Sequence, residues 1–123
     1  MIWCIVFMIG FLKSIFFWHS ITKKQCKEFM CYTKKAEWED PGEQIVQYDK
    51  IYHHILKSLG YRWSFGEILK RNPKEIKNIN DVWELHKLRN RLVHDLKQPN
   101  VDIEGYSRKY KKVIEKFLKQ VTR

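Results

Sequence analysis

The sequence predicts an all-α protein in which an N-terminal transmembrane helix precedes one antiparallel helical bundle. Three observations carry this. The first 22 residues are a nearly unbroken apolar run with a single charge, Lys13. Beyond them apolar residues recur at spacings of three and four, and no run alternates with period two. Capping signals divide that part into helices, with no βαβ or repeat signal among them. A chain of 123 residues has room for one domain, because about twenty residues go to the span and roughly a hundred remain for a core.

As a helix, residues 1–22 extend about 33 Å, enough for the ~30 Å hydrocarbon layer. Lys13 opposes insertion by roughly 2.5 to 3.5 kcal/mol, but each Ile, Phe or Val of the run returns about 0.3 to 0.6. The lysine stem can also snorkel. A cleaved signal peptide is the rival reading, yet the basic n-region and the small-residue cleavage site are both missing. A helix lying flat in the interface would need a polar face, and the first three turns offer none. Basic residues flank only the C-terminal side, at Lys23, Lys24, Lys27, Lys34 and Lys35. The positive-inside rule then places a single-pass protein in the membrane, with the lipid bilayer as partner of residues 1–22 and the C-terminal domain in the cytoplasm.

Residues 23–37 read as a basic juxtamembrane connector and 38–123 as the helical domain. Asp40, Pro41 and Glu43 supply an N-cap, a first-turn proline and a capping-box acid. Ile45, Tyr48, Tyr52, Ile55, Leu56 and Leu59 follow on one stripe that ends at Gly60. Ser64 and Glu67 open a short helix through Ile68 and Leu69 that runs out before Pro73. Asn78 or Asn80 caps a third long helix, in which Val82, Leu85, Leu92, Val93 and Leu96 share a face until Pro99. Asp102 caps the last, where Ile103, Tyr106, Tyr110, Val113, Phe117 and Val121 face one way and Arg108, Lys112, Lys116 and Lys119 the other.

The net charge is +10, distributed as +5 over residues 1–35, +1 over 36–99 and +4 over 100–123. The excess therefore borders the apolar run and the last helix, which suits anionic lipid headgroups at least as well as RNA. Cys4, Cys26 and Cys31 form neither a CxxC pair nor a zinc-site spacing and read as reduced thiols. Trp38, Trp63 and Trp83 read as core or interface aromatics rather than a base-stacking platform. His53 and His54 adjoin on a helix, so they point apart and make no metal pair. No phosphate-cradling loop, nucleophile elbow or metal motif is present, and neither metal nor cofactor is expected.

Chemistry concentrates around the third long helix. At about 100° per residue Arg89 falls inside its apolar stripe, and a guanidinium aimed at a core needs a partner. Asp49, on the core-facing side of its own helix, predicts an ion pair with Arg89, bidentate where geometry permits. His86, Asn90 and His94 follow one another at intervals of four along the stripe's edge and could line one pocket. On a structural reading Asp49 and Arg89 are a clasp, Asn90 satisfies backbone groups, and His94 suits a helix C-terminus.

The helix-borne run Arg89-Asn90-Arg91-Leu92-Val93-His94 resembles the Arg-Asn-x3-His signature of the HEPN superfamily, with four residues between the Arg and the His. The wider phrase from Asp81 to His94, with Asp49 and the Leu59-Gly60-Tyr61 closing its helix, is similar to a group of bacterial proteins that pair an N-terminal span with such a domain. The resemblance covers roughly residues 38 to 121. It implies an antiparallel helical bundle, often a homodimer, whose active members cut RNA without metal. In those members the His performs acid/base chemistry on the ribose 2′-hydroxyl while the Arg and Asn hold the scissile phosphate. Carried over, His94 would be catalytic with Arg89 and Asn90, and Asp49 and His86 would support them. Many superfamily members have lost catalysis and act in binding or dimerisation. The expectation is accordingly a membrane-anchored HEPN-like module, with a metal-independent endoribonuclease as the alternative.

Overall fold

The computed structural model describes residues 19–123. Five helices follow in order: α1 (Lys23–Ala36), α2 (Pro41–Ser58), α3 (Phe65–Lys70), α4 (Ile79–His94) and α5 (Ile103–Val121). No strand occurs among the described residues; a single parallel bridge joins Ile21 to Thr122. The all-α class is what the three-and-four spacing of apolar residues dictates, since that spacing closes an apolar stripe on a 3.6-residue turn.

The expected spanning helix is not found among the described residues. Among the described residues no helix is long and apolar enough to cross a membrane. Residues 1–18 of the stretch assigned to a span lie outside the described residues, and residues 19–22 do not continue one. Ile21 is completely buried, its N–H donates to Val121 O at 2.9 Å, and its carbonyl accepts from Arg123 N at 3.0 Å. Thr22 is the N-cap of α1, with a reciprocal box: its Oγ1 accepts from Gln25 N at 3.1 Å and its N–H donates to Gln25 Oε1 at 2.8 Å. These residues are committed to the bundle's edge, where the apolar side chain has a protein core rather than lipid around it.

Of residues 23–37, read as connector, Lys23–Ala36 form a bundle helix. α1 presents Thr33 and Ala36 to the core and packs on α2 and α5. The central element is α2, which contacts α1, α4 and α5. It buries Ile45, Tyr48, Asp49, Ile51, Tyr52, Ile55 and Leu56. Its stop matches the spacing argument: Leu59 is the C-cap and Gly60 takes φ 107°, a left-handed turn that a side chain would strain. Tyr52 anchors the aromatic centre, stacked on Phe65 at 5.5 Å and on Phe117 at 4.7 Å between centroids.

α4 departs from the expected apolar stripe at its end. It stops at His94 because Asp95 turns extended (ψ 142°). Leu96, beyond the helix, is fully exposed and Val93 is 46% exposed. The tryptophans also divide: Trp83 packs partly on the core, whereas Trp38 is 90% exposed. Trp63 lies on the surface under the Arg71 guanidinium, 3.7 Å from the ring centre. Cys26 and Cys31 are free thiols, and Cys4 lies outside the described residues.

Candidate functional site

The site is built from one buried acid and the helices that converge on it. Asp49 sits mid-way along α2, on the face carrying Tyr48 and Tyr52, and its side chain is 6% exposed. A carboxylate so placed must collect donors, because burial without them costs several kcal/mol. It collects them from α4 and α5. Tyr110 Oη of α5 donates to Oδ1 at 2.7 Å. His86 Nδ1 of α4 donates across both carboxylate oxygens at 3.1 and 3.2 Å. Arg89 Nε lies 3.6 Å from Oδ2.

The clasp between Asp49 and Arg89 is thus present as an ion pair, but not as a bidentate one. Nε of Arg89 is buried without a hydrogen bond, since the short approaches to the carboxylate are already taken by Tyr110 and His86. The guanidinium turns its other edge to its neighbour: Nη1 donates to Asn90 Oδ1 at 3.0 Å. Asn90 is therefore held by Arg89, and Arg89 is held by Asp49. The neighbourhood also acts on Tyr110, whose hydroxyl is raised well above its ordinary range first by burial and then by the Asp49 charge. Tyr110 is a permanent donor.

His86 is enclosed as well. Its ring lies 4.6 Å from that of Phe65, and Gly66 passes close to its Nε2 face. His94 is different. It is exposed at the last residue of α4 and makes no hydrogen bond or ion pair with the described residues. His86, Asn90 and His94 do not line one cavity: the first is sealed inside, the second half-buried, the third in solvent. Since Arg89 and His94 are five residues apart, they diverge by roughly 140° around the helix. No group of three potential metal ligands occurs among the described residues.

Sequence reasoning missed Tyr110 as a partner of Asp49 and treated it as one apolar-face residue of α5. The signal was available: a tyrosine in the middle of a buried stripe carries a hydroxyl that must find an acceptor, and Asp49 is the acid on the facing stripe. Compared with family models, curated proteins and solved structures, the chain finds no match. The reading of α4 rests on its own residues and on where the fold puts them.

Proposed function

We propose that the bundle is a HEPN-like helical module that works by binding or dimerisation at the C-terminal end of α4. The supporting observation is the contrast along that helix. Its middle is locked to α2 through His86 and Arg89 against Asp49, while its last turn carries exposed Val93 and His94 and leads into exposed Leu96. A rigid base that offers apolar and polar groups side by side is suited to a partner surface. Val93→Asp with Leu96→Asp should leave the fold intact, both positions being exposed, and abolish self-association in sedimentation of the full chain. A wild-type chain that stays monomeric at high micromolar concentration and captures no second copy would remove the dimerisation reading.

A second reading, a metal-independent endoribonuclease, draws on the solvent-open imidazole of His94. An exposed imidazole can exchange protons with a ribose hydroxyl, and Asn90, positioned by Arg89, can donate to a phosphate. On this reading single-stranded RNA is cut in the presence of a chelator, leaving 2′,3′-cyclic phosphate ends. His94→Ala should slow cleavage by about 10² to 10⁴-fold without loss of stability. A folded protein whose cleavage equals that of His94→Ala has no such activity.

A further inference from the structure

On the far side of α2 from Asp49, the antiparallel helices α1 and α2 leave a groove of about 480 Å³, within the range of small-molecule sites. Its floor is apolar. Phe29 and Ala36 come from α1 and Ile51 from α2; with Tyr32 between the first two, and Gln47 and His54 on either side of Ile51, each helix lends one stripe spaced by three and four. Tyr32, 56% exposed, stands at the edge. From Ala36 back to Phe29 the floor runs seven residues, about 10 Å at 1.5 Å per residue.

The rim is cationic. Lys35 and Lys50 border the groove, both exposed and neither in an ion pair among the described residues. Lys35 lies 5.9 Å over the Tyr32 ring. Glu39 is the acid at the groove, and if it neutralises one lysine the other remains. His54, exposed, also lines the groove with a ring that can hydrogen-bond. An apolar trough with one unbalanced positive charge calls for an apolar body carrying one negative charge.

We propose that the groove between α1 and α2 binds a small amphipathic monoanion, a short alkyl chain or aromatic ring system ending in a carboxylate. The other occupants fit worse. Residues 1–18 are apolar but contain no Asp or Glu and carry Lys13, so they cannot balance the rim. A second copy docked by a two-fold axis would bring together two rims of the same net positive sign, Lys35 and Lys50 outnumbering Glu39 on each, and like charges at an interface oppose association. A free carboxylate meets both requirements, its chain on Ile51 and Phe29 and its head at Lys50 or Lys35.

The test uses the full chain, isotope-labelled and titrated with octanoate and separately with octanol, a neutral probe of the same chain length. Octanoate should give saturable amide shifts confined to Phe29, Tyr32, Ile51, His54 and their neighbours. Octanol should act on the same residues about tenfold more weakly, the loss expected for one charge-assisted contact. Lys35→Gln with Lys50→Gln should bring octanoate down to the octanol level, and both positions are exposed enough that folding is retained. Equal affinity for the two probes would overturn the proposal, leaving only a greasy surface. So would octanoate shifts lying elsewhere, octanoate binding unchanged in the double variant, or a groove protected by a second copy at all concentrations.

Discussion

Asp49 is where three long helices meet on one charge, and its replacement tests the site more sharply than any change on α4. Asp49→Ala would leave Tyr110 Oη and His86 Nδ1 without their acceptor and Arg89 without its counter-ion. The expected cost is about 3 to 5 kcal/mol, as for one partner lost from a buried pair. Tyr110→Phe removes one hydrogen bond to a charged group and should cost about 1.5 to 3 kcal/mol. Urea denaturation that ranks the two variants equally would show that the carboxylate is not the common acceptor. His53 provides a pH test. Burial lowers its pKa from 6.5, and the bond between its Nε2 and Trp63 O at 3.0 Å only partly counters this. The unfolded chain then binds the proton more readily than the folded one. Stability from this group is full above pH 6.5 and is lost as pH falls through the lower folded value. His53→Gln should flatten the acid side of the stability profile in that window, read by denaturation at a series of pH values; an unchanged slope counts against it.

Helix boundaries show where sequence carries structural information and where it does not. Four of the five helices were legible from their stripes and caps, because a stripe and a cap are local properties of the chain. The two acidic caps separate on inspection of their bonds. Asp102 Oδ1 accepts from Gly105 N at 3.1 Å, whereas Asp40 makes no side-chain cap bond at the start of α2. Asp102→Ala should therefore cost about 1 kcal/mol and Asp40→Ala clearly less. Thermal or urea unfolding that gives equal losses would mean that the bond at Gly105 contributes nothing beyond the helix dipole. The end of α4 was misplaced because Leu96 continues the periodicity while the backbone leaves the helix at Asp95. α1 reads in sequence as a connector continuing the span and not as a bundle helix, for a different reason. Its buried positions, Thr33 and Ala36, are small and give little apolar signal, and its basic surface resembles a membrane flank. Arg89 could be read as needing an acid from its place in a stripe, but the approach of Tyr110 and His86, which displaces the bidentate geometry, depends on how three helices cross.

At the scale of the whole molecule, the bundle closes on itself where its two ends meet. Ile21 is buried at 0% exposure and exchanges backbone hydrogen bonds with Val121 and Arg123. Burying an isoleucine contributes roughly 1.5 to 3 kcal/mol, and two backbone bonds add about 1 kcal/mol each. A fragment spanning 19–123 should thus exceed one spanning 22–123, which keeps the Thr22 cap, by about 3.5 to 5 kcal/mol in urea denaturation, and a difference near zero would show that the edge at Ile21 is ornamental. Removing everything before residue 36 is a harsher cut, because it strips α1 from α2 and α5 and opens the face of α2 at Ile51, which lies beside Phe29 and Ala36, to water. That cut would mimic loss of function at His94 by unfolding the scaffold beneath it. Any assay of RNA cleavage or self-association on a shortened chain must therefore keep residues 19–35, with His94→Ala and the wild type first matched in stability, so that a lost signal reports on the imidazole and not on the bundle.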